Sequence, residues 1–510
     1  MQKTKKIIKF TPLYNALNIT FCSKKQVFKR GSNSCTAVPI SCVNRTRKSG
    51  KTLIINGLIQ TLKSTVKIGI FLIVVGSSLF SQEGIGRSGL FTVEELQADF
   101  QQIIEHMKVG HAILYKFTDK PAFDRFVNDQ FAEIDRPMSL AEFYRIVSPM
   151  LAKIGCGHTS FWLPKGYWKN VSAKLMPLRL VFLDGKAYAW RFYTEIEGIP
   201  EGVEILSING KAISEILDAL RANISADGHM DSRKLYKINQ APSFFYGLQF
   251  GCPDKFRFVC RRPGQSEPEF FECESVDLET VENAEAEINT TEFNSLDFTL
   301  DFEISDRSDT AILTIRSFVY YENPEKFNHF IDEAFGRIQK LEIKNLVLDL
   351  RNNGGGNPFC TSHLFSYLIP RPLPYFAEEY RRYAQLAKPI PVAEHAFYGK
   401  LLILINGGCF SSTPHLCALL KYHKIGTFVG TEAGATYTCN GATREIKLSH
   451  TGAIVVVSRR SYAAAVDGFP DDIGILPDHV VMPRIDDLIQ GRDVQKEFAL
   501  QLIKEASPKL

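Results

Sequence analysis

The sequence predicts an α/β fold, α+β over its whole length: a layered core of sheet and helix, preceded by a helical segment and a β-rich module. Three observations carry this. From about Thr299, short apolar runs alternate with amphipathic stretches, as strand–helix–strand repeats do. Two of those runs, "IKNLVLDLR" and "GKLLILING", are almost continuously apolar, which suits strands of a parallel sheet buried on both faces. Between Leu90 and Pro164 the apolar residues instead recur every three to four positions.

The helical segment (90–165) should hold three helices. "TVEELQADFQQIIEHM" opens with Thr92 and, three residues on, Glu95, the pattern of a capping box. "PAFDRFVNDQFAEI" follows, and "SLAEFYRIVSPMLAKI" begins at a second cap, Ser139. The chain leaves the third helix through "GCGHTS", which sets His158 in a glycine turn. Residues 175–285 read as short strands, with "GVEILSING" ending in an Asn-Gly turn before a helix. The acidic stretch Glu274–Asn294 lacks a core pattern and reads as a surface linker. The core then occupies 299–502.

The 510 residues are 45% hydrophobic and 23% charged, an ordinary globular balance with a sizeable core. The formal charge is only +4, and most of the excess lies in residues 1–60 and just beyond. The rest is near neutral, so nothing points to a nucleic-acid partner. Eleven cysteines include no C-x-x-C pair and no Cys/His group at zinc spacing, so no metal is expected. In "KSTVKIGIFLIVVGSSLFSQ" a basic flank precedes a run, Ile68–Phe80, that is short for a bilayer span of ~20 residues. It fits the apolar part of a signal peptide over 61–81, cleaved near Ser81, with residues 1–60 upstream of the true start. If uncleaved, it would associate the chain with a membrane. A secreted or cell-envelope location is expected.

Two loops follow buried strands of the core, where sites of open α/β sheets form. In "DLRNNGGGN" three glycines permit positive φ and close backbone approach, so the loop is either a flexible turn or a nest of N–H donors. In "INGGCFSSTPHL" a strand and two glycines deliver Ser411 to the start of a helix. Such a serine is a nucleophile presented at the top of the sheet, an N-cap, or both.

Together, "LVLDLRNNGGG", "LLILINGGCFSST", "IGTFVGTEAGA" and "GILPDHVV" resemble, in order and spacing, the tail-specific and C-terminal processing protease family of serine peptidases. "PEGVEILSINGK" is similar to that family's PDZ-like module. The processing branch carries a lysine about 25 residues after its serine, but "GTEAGATYT" has none, and Lys424 comes too early. The resemblance is therefore closest to the tricorn-core-like branch, whose base is a histidine, here His158. It implies Ser411 as nucleophile, Asp471 as the acid (with Asp472 as its neighbouring alternative), and oxyanion donors from Ser412 and from Gly355 or Gly356. Asp471 stands where a glutamate is usual, and Gly157 where that branch has a serine. The implied activity is that of an endopeptidase acting on unstructured polypeptides or C-terminal tails, with no cofactor. The alternative is a catalytically silent protein of the same fold that binds peptides or apolar ligands.

Overall fold

The structure, a computed structural model, describes residues 89–287, 300–305 and 309–506. The basic tract, the proposed signal peptide and residues 288–294 of the acidic stretch lie outside them.

Three capped helices come first: α1 (Val93–Gly110), α2 (Lys120–Ala132) and α3 (Leu140–Lys153). Both expected capping boxes are present, with the Glu95 N–H donating to Thr92 and the Glu142 N–H donating to Ser139. Their apolar faces pack on one another through Leu96, Phe100, Phe143 and Val147. After the His158 turn come β1 (Ser160–Trp162), α4 (Tyr167–Asn170) and β2 (Lys174–Leu175).

The β-rich region contains β3 (Leu178–Leu183), β4 (Lys186–Phe192), β5 (Glu204–Ile208) and β6 (Lys211–Ala212). Helices α5 (Ile213–Ala222), α6 (Asp231–Gln240) and α7 (Pro242–Phe250) follow, then β7 (Lys255–Arg261) and β8 (Glu269–Glu274). The strands form an antiparallel sheet in the order β3-β4-β5-β7-β8, with β6 folded back on β5 through the Asn209–Gly210 turn.

The acidic stretch corrects the reading as a linker. It continues as β9 (Val276–Asp277) and helix α8 (Leu278–Glu287). Val281 is buried, and Glu285 pairs with the fully buried guanidinium of Arg179 on β3. Acidic composition disguised a helix whose inward residues are Leu278, Val281 and Ala284, with Glu285 as an ion-pair partner.

The core runs β10 (Leu300–Ile304), β11 (Thr310–Ile315), α9 (Pro324–Lys340), β12 (Asn345–Asp349), α10 (Pro358–Ser366), β13 (Lys400–Ile405), α11 (Ser412–Tyr422) and β14 (Thr427–Gly430). Next come β15 (Thr438–Gly441), β16 (Arg444–Lys447), β17 (Ile454–Val457), β18 (Arg460–Ala463) and β19 (His479–Val480). Helices α12 (Ile485–Ile489) and α13 (Val494–Ala506) end the described chain. The main sheet has the order β10-β11-β12-β13-β14-β19, parallel except for β10. All of β12 is buried, as its apolar run requires.

A smaller sheet decides where the histidine goes. β1 pairs with β17, and β17 with β16. Val455 and Val457 of that hairpin join the core of the first three helices. Residues some 290 positions apart thus share one hydrophobic cluster.

The Arg179–Glu285 pair gives a stability test. Removing one partner of a buried pair leaves an uncompensated charge, at a cost of roughly 3–5 kcal/mol. Glu285→Ala should lower the unfolding free energy by about that much in urea titration, whereas the exposed Glu279→Ala should change it little.

Candidate active site

Ser411 follows β13 across "NGGCF" and precedes α11. Its backbone stands at φ 60°, ψ −119°, a conformation that L-residues rarely adopt. Its side chain makes no capping bond to the helix, so the N-cap role does not hold. Instead Ser411 Oγ lies 3.2 Å from His158 Nε2 and 3.4 Å from Cys439 Sγ.

The loop that holds this conformation is braced by the asparagines of "RNNGGG". Asn353 Oδ1 accepts from Thr413 Oγ1 (2.9 Å) and from the Gly355 N–H (2.9 Å), and Asn353 O accepts the Phe410 N–H (3.0 Å). Asn406 Oδ1 accepts the N–H groups of Asn352 and Gly408, while its amide donates to Asn352 Oδ1 at 2.8 Å.

This bracing corrects one expected oxyanion donor. The Gly355 N–H is already spent on Asn353. Glycine is needed there for space, because a Cβ would stand 2.6 Å from Ser411 Cβ and 2.5 Å from Phe410 O. Gly356 is different. Its φ of 146° and its approach to the Phe318 backbone also exclude a side chain, but its N–H donates to no acceptor among the described residues. Ser412 is the first residue of α11, where helix N–H groups lack intrahelical acceptors.

His158 is fixed by its turn. The Gly157 N–H donates to Asp227 Oδ1 at 2.7 Å, and the Gly228 N–H donates to Gly155 O at 3.0 Å. The imidazole stacks on Phe410, with centroids 4.4 Å apart and planes at 27°. A Cβ on Gly157 would lie 2.8 Å from that ring, which is why no serine stands there. Burial, followed by the charges of Arg233, His415 and Lys237, lowers the His158 pKa to about 3. In the resting enzyme the ring is neutral and able to take a proton.

The acid assignment is also corrected. Asp471 is half-exposed and pairs with Lys116 at 2.5 Å, not with His158. The 227–229 turn packs against this loop, with the His229 N–H donating to Asp472 O, and the Asp472 side chain makes no bond to the imidazole. His158 Nδ1 is buried and accepts from or donates to nothing among the described residues.

Sequence reasoning missed four neighbours. Phe410, one residue before the nucleophile, is the platform for the imidazole. Asp227 accepts the Gly157 N–H, and burial raises its pKa to about 6. Arg233 lies over Phe410 at 4.0 Å. Cys439 is a buried free thiol held protonated by burial, and it sits 3.8 Å from His158 Nε2. Only Arg233 left a trace in the sequence, in the basic run "SRKLYK" on one helix. Lys424 lies in the turn after α11, and no bond joins it to Ser411. A cavity of about 750 Å³ opens on Ser411, lined by Gly356, Tyr380, Arg382, Cys439, Arg460 and Tyr462.

A serine on a strained strand-to-helix turn, an imidazole within hydrogen-bond reach and an adjoining cleft define a serine hydrolase site. Residues 309–481 match the model of peptidase family S41, and the protein is a serine-type peptidase. No curated protein matches the chain. Among solved structures it is similar to mature CPAF, at 13% identity and a TM-score of 0.56, covering 82% of this chain and 99% of that one. Mature CPAF complexed with lactacystin gives 13% identity and a TM-score of 0.54, covering 80% and 97%. Likeness at this identity speaks for the fold. The family match spans the parallel strands β11–β14 and β19 of the main sheet, the Ser411 loop and β15–β18, but neither β10 nor the region that carries His158.

The buried imidazoles make stability depend on pH. Burial lowers the pKa of His111 and His415 to about 4, alongside His158 at about 3. Folded values below the unfolded one, about 6.5, mean that unfolding takes up protons in acid. Their contribution is intact above about pH 6.5 and is lost as pH falls toward 4. Asp227, raised to about 6, acts in the opposite sense but is a single group. The melting temperature should therefore fall between pH 7 and 4.5, and His415→Gln should flatten the fall.

Proposed function

We propose that the protein is an endopeptidase that cleaves unstructured polypeptides through an acyl-enzyme, with Ser411 as nucleophile and His158 as general base. The observation that carries this reading is the 3.2 Å approach of Ser411 Oγ to His158 Nε2, with Ser411 at φ 60°. The hydroxyl donates to the unprotonated Nε2. As Oγ attacks a peptide carbonyl, the proton passes to the ring and then to the leaving amine. The Ser412 and Gly356 N–H groups are proposed as oxyanion donors, since both border the cleft and neither is taken by the fold. Each such donor typically accounts for about 10²–10³ in kcat.

The acid partner is left out of the resting arrangement. With Asp471 paired to Lys116 and His158 Nδ1 bare, a dyad is the reading that the geometry supports. The antiparallel module remains proposed as a PDZ-like docking element, where an extended chain would add as a strand. Action on C-terminal tails belongs to the same proposal, as do export by the apolar run 68–80 and membrane association through it. Among the described residues no helix is long and apolar enough to cross a membrane.

A fluorophosphonate probe should label the wild-type protein but not Ser411→Ala. His158→Ala should lower kcat on a peptide substrate by roughly 10²–10⁴-fold. Lys424→Ala and Asp471→Asn should stay within a few-fold of wild type. A silent binding protein would instead leave Ser411 unlabelled and the peptide intact.

A further inference from the structure

A second cavity, of about 340 Å³, lies on the histidine side of the dyad, and Thr443 borders both cavities. His158 and Phe410 form part of its wall, with Phe245 and Leu248 among its apolar lining and Arg233 and Lys237 as its cations. No aspartate or glutamate lines it.

Arg233 is only 7% exposed, and its Nε is buried with no hydrogen-bond partner. No carboxylate lies within ion-pair distance of Arg233 or Lys237 among the described residues. Asp227, whose charge Arg233 does sense, accepts the Gly157 N–H at Oδ1, and its buried Oδ2 has no hydrogen-bond partner, so it offsets Arg233 at a distance without forming an ion pair with it. The contact that Arg233 does make is with the face of Phe410, 4.0 Å away. Burying an unpaired cation is expensive, and a guanidinium is shaped for two parallel bonds to a carboxylate.

We propose that this cavity is a substrate subsite that takes a carboxylate carried on an apolar stretch of the polypeptide, held by Arg233 and Lys237. The proposal rests on the peptidase reading and specifies the substrate class. Its position makes the recognition part of the reaction. The carboxylate would arrive beside the imidazole that must become positive, and would offset the two cations that now oppose that charge. Burial and Arg233 already bring the Lys237 pKa down to about 7, an environment that an anion would relieve. A carboxylate can come from an acidic side chain or from the chain terminus, and the chemistry of the cavity serves both.

Binding to the Ser411→Ala protein reads the subsite without turnover. Three fluorescent decapeptides of one apolar sequence suffice: a free C-terminus with an internal Gln, an amidated terminus with an internal Glu, and an amidated terminus with Gln. One or both carboxylate peptides should bind about tenfold or more tightly than the neutral one, and which does so identifies the source. Adding Arg233→Met or Lys237→Met should abolish that difference, each variant being compared with its own affinity for the neutral peptide. Lys237, half-buried, provides a variant that should fold if the arginine variant does not. Equal affinities for all three peptides, or a preference that survives both substitutions, would overturn the proposal. Failure of the peptidase reading shows separately, as no hydrolysis by the protein with Ser411 intact while the affinity difference persists.

Discussion

The serine side of the site depends on Asn353. Its side-chain carbonyl holds Gly355 and Thr413, its amide donates to Ile315 O at 2.9 Å, and its own carbonyl takes the Phe410 N–H. One buried residue thereby fastens the end of β11, the glycine loop after β12 and the serine loop after β13. Ser411 needs that fastening. A non-glycine residue at φ 60° costs of order 1–3 kcal/mol and persists only where its surroundings over-determine it. The strain turns the hydroxyl away from the helix it precedes and toward His158.

The imidazole is held by different means: a stack on Phe410, a glycine on either side of Cys156, and a three-residue strand docked on β17. The two halves meet at Phe410, whose backbone belongs to the serine loop and whose ring supports both the histidine and Arg233. Geometry and electrostatics pull in opposite directions there. The ring is placed to accept a proton, yet its surroundings are apolar and cationic, and they penalise the imidazolium that would result.

Much of this was legible in the sequence, and the failures have physical causes. Capping boxes and apolar periodicity located the helices because those signals are local, as with Thr92 and Ser139. The near-continuous runs around Leu348 and Ile403 marked the parallel strands for the same reason. Gly355 was misjudged because a glycine run announces freedom without saying whether a free donor or a close neighbour requires it. Asp471 was misjudged because a sequence offset carries position but not the 227–229 turn that packs against its loop. The helix at 278–287 went unseen because Leu278, Val281 and Ala284 are few and small among the acidic residues around them. Cys439 and Asp227 reach the site only through tertiary contact, which no local pattern encodes, and the basic run that holds Arg233 does not say what it packs against.

The pairing of β1 with β17 also orders events in time. Ribosomes make His158 some three hundred residues before Val456, the residue opposite Ser160 in that pairing. Until the hairpin emerges, the first three helices lack part of their own hydrophobic cluster and the histidine turn has no strand to rest on. A growing or truncated chain that already contains Ser411 can therefore still lack the strand that β1, just after His158, rests on. On the proposed reading of the site, the Ser411–His158 arrangement would therefore be completed only after the β16–β17 hairpin has been made.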